Sequence, residues 1–259
     1  MVLGMGRSGT SATADILRRL GVYWGPEALM MAPQKDNPRG FWEFTLLYNI
    51  NVDLLNRLGG DWHRPPILPI GWENSMELDG IRSKAATVIR DHFQVPVWGF
   101  KDPRCCLTLP FWKTVISNPI ECVIPIRNPL EVAASLAHRE GLPIRRSLWL
   151  WTAYVVWAWR ASRELKRIVI SYDRLLANPQ AEIRRLEAFL GLERTSSLSA
   201  EDGVCVDLRH ERIGLEKFLA DPDVSGAVKE VYVALQRLAN DEPEDVGQLM
   251  EKAWNSLFS

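Results

Sequence analysis

The residues Gly4-Met5-Gly6-Arg7-Ser8-Gly9-Thr10-Ser11 combine the groups that bind an anion. The glycines permit a tight turn, Arg7 supplies a cation, and the helix that follows offers free N–H groups and the positive end of its dipole. Arg7, Ser8, Gly9, Thr10 and Ser11 are therefore the expected contacts of a phosphate-like group. The spacing nearly matches a Walker A loop, but Thr10 stands where that loop has its lysine, which weakens an ATPase or GTPase reading. The same residues satisfy G-x-G-x-x-G, the dinucleotide fingerprint, which requires a second apolar strand ending on an acid. Ahead of Glu27, the stretch Gly21 to Pro26 holds two glycines and a proline and makes a poor central strand. A tight turn without a ligand is the plain alternative.

A second anion position is expected at Arg127-Asn128-Pro129, which opens a helix carrying Ser135 two turns along. It follows the apolar run Glu121 to Ile126. That run, with Met1 to Gly4, Val95 to Phe100 and Arg167 to Ser171, has the length and β-branched content of buried parallel strands. Helical patterns at Ser11 to Leu20, Thr45 to Leu58, Asp79 to Phe93, Pro129 to Glu140, Arg146 to Leu165 and Gln180 to Leu190 alternate with them. The pattern predicts an α/β protein, a P-loop-like three-layer fold with a central parallel sheet flanked by helices. Such sheets bind ligands outside the carboxyl ends of their strands, and Gly4, Phe100 and Ile126 all end on that side. Two anion sites on one edge suit a nucleotide with two separated phosphates. Residues 1–192 read as a nucleotide-binding core and 193–259 as a loop followed by helices, within a single domain spanning 1–259.

The chain has 259 residues, 47% of them hydrophobic and 24% charged, the usage of a folded globular protein. With 31 Lys and Arg against 32 Asp and Glu, the net charge of -1 gives no field for nucleic acid or an anionic membrane, so any anion site is local. The most apolar stretch, Leu148 to Trp159, is well short of the roughly 20 residues a membrane span requires. Its tryptophans, Trp149, Trp151, Trp157 and Trp159, read as core. Cys105 and Cys106 are adjacent, and the four cysteines match neither a disulfide framework nor a metal motif. With no secretory leader in view, reduced thiols and a cytoplasmic location are the expectation.

The Gly-x-x-Arg-Ser-Gly-Thr-Ser loop, the Arg127-Asn128-Pro129 stretch with Ser135, and Lys101-Asp102-Pro103 together resemble sulfotransferases that use 3'-phosphoadenosine 5'-phosphosulfate (PAPS), especially the tyrosylprotein type and bacterial relatives. The resemblance covers about Met1 to Leu192. It implies transfer of a sulfuryl group to a hydroxyl or amine of a small-molecule or glycan acceptor, releasing 3',5'-adenosine bisphosphate (PAP), without a metal. It further implies that Arg7 to Ser11 hold the 5'-phosphosulfate, that Arg127 and Ser135 hold the 3'-phosphate, and that Tyr172 lies near the nucleotide. Arg7 and Lys101 would stabilise charge on the transferring group, and Glu43 would be the general base. A salt bridge from Lys101 to Asp102 and a surface role for Glu43, capping the helix from Thr45, are the structural alternatives. His63 and His138 are lesser candidates for the base, and His210 lies in a polar segment that could add cations over the nucleotide. The sequence departs from the cytosolic branch by its loop arginine and from the tyrosylprotein branch by lacking its cysteines and leader. A nucleotide kinase, or a binding module without turnover, competes with this reading. Acceptor contacts are expected between Trp42 and Met76.

Overall fold

The computed structural model describes residues 1–34, 37, 40–192, 212–242 and 245–258. Its regular strands are β1 (Cys122–Ile126) and β2 (Arg167–Ser171), paired in parallel with Ile124 opposite Val169. Parallel bridges carry the pairing further: Val2 bridges both Val123 and Lys101, and Tyr23 bridges Trp98. The segments Met1 to Gly4 and Val95 to Phe100, expected as strands, contribute only these bridges. Pro96 has no N–H to donate, and Val95 and Val97 are exposed, so nothing extends pairing along that stretch. The chain is α/β, with regular pairing narrower than the broad central sheet the sequence predicts.

Residues of alternate parity along these segments feed two hydrophobic clusters. Val2, Val123 and Ile170 join Ile16 and Leu17 of α1 (Thr10–Arg19). Leu3, Ile124, Ile126 and Val169 join the second cluster, which holds Leu47 and Leu54 of α2 (Thr45–Arg57) and the buried face of α3 (Asp79–His92). It also takes in α4 (Cys105–Val115), α5 (Pro129–Glu140) and α6 (Ile144–Ala161). Helix α4 is absent from the sequence reading, since Pro110 lies inside it and masks its period. Of the four tryptophans expected as core, Trp151 and Trp157 are buried, and Trp149 and Trp159 pack against the core half-buried. After β2 come α7 (Tyr172–Ala177) and α8 (Pro179–Leu190), then α9 (Leu215–Ala220), α10 (Gly226–Ala239) and α11 (Val246–Phe258). No helix among the described residues is long and apolar enough to cross a membrane.

Local chemistry sets the ends. Asn128 and Asn178 each precede a proline, and each accepts a first-turn N–H, from Leu130 and Ala181 respectively. Both helices stop at a left-handed glycine, Gly141 and Gly191. Helix α1 differs: its N-cap is Gly9, and no side chain caps it. Because the paired segments run parallel, the turns after Leu3, Phe100, Ile126 and Ser171 all emerge at one edge.

Candidate active site

The loop between Val2 and α1 is shaped by close approaches. A Cβ on Gly4 would come within 3.1 Å of the Pro125 carbonyl oxygen, so glycine lets the chain pass close beside β1 as it enters the loop. A Cβ on Gly9 would lie 2.5 Å from Tyr172 Cδ2, and Gly9 has φ 87°. Arg7 and Trp42 also adopt left-handed backbone, with φ 71° and 55°. For residues with a Cβ that conformation costs about 1–2 kcal/mol, and such strain concentrates at functional sites.

Two polar clusters meet the loop. In the first, Arg7 Nε donates to Ser135 Oγ at 2.9 Å, and Arg127 donates to the Arg7 carbonyl oxygen at 3.4 Å. Arg127 also holds Glu131 at 2.8 Å, both buried, and its guanidinium lies 5.1 Å from the centre of the Tyr172 ring. The first two turns of α5 place Glu131 and Ser135 on one face, because residues four apart align. Arg7 therefore joins the loop to the Arg127 and Ser135 stretch, two segments that the sequence reading treats as separate pockets.

In the second cluster, Lys101 Nζ lies 2.6 Å from Glu43 Oε1 and donates to Ser11 Oγ at 3.3 Å. Both charged residues are buried, Lys101 at 2% and Glu43 at 6% exposure. Glu43 is thus no surface carboxylate, and it makes no cap on α2, whose N-cap is Phe44. Burial pushes its carboxyl above the usual glutamate range; Lys101 pulls against that push, and nearby Asp102 adds to it. Lys101 does not pair with Asp102 either. Asp102 is held by Arg104 at 3.0 Å and accepts from Asn51 at 2.9 Å. That arrangement around Asn51 was not legible in the sequence, since an asparagine in a helical pattern carries no motif.

The loop hydroxyl of Ser8 is 1% exposed and has no hydrogen-bond partner among the described residues. A buried hydroxyl without a partner is costly, and here it lies in a glycine turn that leads into an uncapped helix. Of the histidines, His63 pairs with Asp61 at 2.8 Å, and His138 is exposed in the last turn of α5. His210 falls outside the described residues. Cys105, Cys106 and Cys122 are free and buried, and burial pushes all three thiols up. Among the described residues no group of three or more His, Cys, Asp or Glu side chains could hold a metal ion.

No protein-family model and no curated protein matches the chain. Among solved structures it is similar to the sulfotransferase domain from the Synechococcus PCC 7002 olefin synthase, with a TM-score of 0.49 and 15% identity over 100% of this chain and 93% of that one. It is also similar to the sulfotransferase domain from the curacin biosynthetic pathway, with a TM-score of 0.47 and 14% identity over 99% of this chain and 95% of that one.

Proposed function

We propose that this chain transfers a sulfuryl group from PAPS to an acceptor hydroxyl or amine. The observation that carries the reading is the meeting, at one sheet edge, of a buried Lys101–Glu43 pair with the Arg7, Arg127 and Ser135 cluster across a glycine loop. The orphaned Ser8 hydroxyl and the space kept by Gly9 fit a phosphate group seated against the start of α1. Arg7 to Ser11 would hold the 5'-phosphosulfate, Arg127 and Ser135 the 3'-phosphate, and Tyr172 would flank the nucleotide. The parallel edge with helices over both faces suits a P-loop-like nucleotide fold.

In the reaction, the acceptor oxygen bonds to sulfur while the bond from sulfur to the 5'-phosphate oxygen breaks, and negative charge moves onto that leaving oxygen. Lys101 and Arg7 stand on the loop side and would meet that charge; preorganised cations contribute several kcal/mol in such sites. Glu43, whose proton affinity burial has raised, takes the acceptor proton. Ser11, which accepts from Lys101, keeps the ammonium against the loop. The acceptor is a small molecule or glycan, approached from the side of Trp42 to Met76. Reduced thiols at Cys105, Cys106 and Cys122 suit the cytoplasm.

Calorimetric titration tests the nucleotide assignment. PAP is expected to bind much more tightly than AMP or ADP, because only PAP answers Arg127 and Ser135. Equal affinities would overturn the second phosphate position. A screen of acceptor classes for sulfate transfer in excess chelator tests the chemistry, and turnover that stops on chelation would favour a kinase instead.

A further inference from the structure

Next to the Lys101–Glu43 pair in the chain, Asp102 opens a second, hydrogen-bonded layer of polar groups. Asp102 is 1% exposed and Asn51 is fully buried. Asp102 Oδ1 accepts from the Arg104 backbone N–H at 2.9 Å and from Arg104 Nη1 at 3.0 Å, and its Oδ2 accepts from Asn51 Nδ2 at 2.9 Å. Asn51 is itself saturated: its Oδ1 accepts from Thr108 Oγ1 at 2.7 Å and Trp112 Nε1 at 2.9 Å, and Nδ2 also reaches Cys105 Sγ at 3.4 Å. The network ties α2, the corner after Phe100 and α4 into one unit. A buried carboxylate is costly to keep unless it is bonded this fully. A core that needed only packing would use an apolar residue in its place.

We propose that Asp102, clamped by Asn51 and Arg104, is a positioning residue for the Lys101–Glu43 pair, fixing the corner from which the lysine extends and setting the electrostatic surroundings of the glutamate. This rests on the reading of Lys101 and Glu43 as reacting groups. The geometry gives two separable effects. Asp102 is the next residue after Lys101, so pinning its carboxylate from α2 and α4 fixes the backbone that aims the ammonium. Its charge also acts on Glu43, against the opposing cations Lys101 and Arg104. Asp102 and Lys101 thus act on Glu43 in opposite senses, and the glutamate stays a competent base beside an ammonium that alone would weaken it.

The test reads both effects without measuring turnover. The side-chain carbons of glutamates are labelled with 13C in the full chain, Glu43 is assigned by Glu43→Gln, and its titration is followed by NMR. Asp102→Asn, which keeps the shape and removes the charge, is expected to move the Glu43 midpoint to lower pH. Asn51→Ala keeps the charge and releases the clamp. It is expected to leave that midpoint above the usual glutamate range but to lose the slowly exchanging 15N ammonium signal of Lys101. Circular dichroism verifies folding, and if Asp102→Asn does not fold, the Lys101 signal in Asn51→Ala decides. A wild-type midpoint in Asp102→Asn overturns the electrostatic half. A wild-type Lys101 signal in Asn51→Ala overturns the positioning half. Failure of PAP binding or sulfate transfer in the wild type would instead strike the functional reading and leave these two outcomes standing on their own.

Discussion

Replacing Gly9 with alanine tests whether the loop is built around its approach to Tyr172. The substitution incurs two costs that a control can separate. Gly9 and Gly21 have nearly the same backbone, φ 87° and 92°, but a Cβ at Gly21 meets nothing within 4 Å, whereas at Gly9 it falls 2.5 Å from Tyr172 Cδ2. Left-handed alanine costs about 1–2 kcal/mol at either site. The clash adds about 1–3 kcal/mol at Gly9 alone, since the Tyr172 ring, 8% exposed, has little room to retreat. At roughly 2–4 °C per kcal/mol for a chain of this size, Gly21→Ala should lower Tm by roughly 2–8 °C and Gly9→Ala by roughly 4–20 °C. Any shift of the ring also disturbs Arg127, whose guanidinium lies 5.1 Å from the ring centre. Without that contact Arg127 is held less firmly for an anion, so PAP should bind more weakly to Gly9→Ala and as in the wild type to Gly21→Ala. Scanning calorimetry and titration calorimetry on the two variants give both numbers. Equal Tm losses together with wild-type PAP affinity in Gly9→Ala would refute the argument that this contact shapes the nucleotide site.

Arg127→Met should destabilise by about 3–5 kcal/mol, because it removes the guanidinium 2.8 Å from the buried Glu131 carboxylate. The double variant Arg127→Met with Glu131→Gln should recover most of that loss in urea denaturation, and no recovery would mean that the pair is not what Arg127 stabilises. For Glu43, folding raises the carboxyl pKa, so the native state binds more protons than the unfolded chain. Its contribution to stability is therefore fully present below the unfolded glutamate value of about 4.3 and is lost as pH rises through the folded value. Wild type should lose stability relative to Glu43→Gln across that window and hold a constant difference below it, as measured by denaturation at a series of pH values.

The sequence carried the elements whose signals are local. The edges of β2, the Asn-Pro start of α5, and the C-terminal helices each follow from a cap, a period or a proline within a few residues. The pairing of Met1 to Gly4 and Val95 to Phe100 was overestimated, because an apolar run predicts burial and not how many residues find a partner. The candidate site residues lie at one edge because parallel segments must end together, which the strand and loop order implies. Which charge faces which was not legible. Lys101 is adjacent to Asp102 in sequence, yet neighbouring side chains on an extended segment point to opposite sides, so the lysine meets Glu43 and the aspartate turns to Arg104 and Asn51. The Arg127–Glu131 pair was within reach, since the spacing of four at a helix start is a readable signal.

Ile213 is gripped from both sides by the start of α5: its N–H donates to Glu131 Oε1 at 2.8 Å, and its carbonyl oxygen accepts from Asn128 Nδ2 at 2.9 Å. Glu131 shares its other oxygen with Arg127. One carboxylate thus fastens the approach to the C-terminal helices and steadies Arg127 at once. Trimming the chain ahead of Arg212 would then do more than shed three distal helices; it would strip two bonds from the same turn that carries Arg127, and the damage would register as weakened anion binding at a distance from the cut.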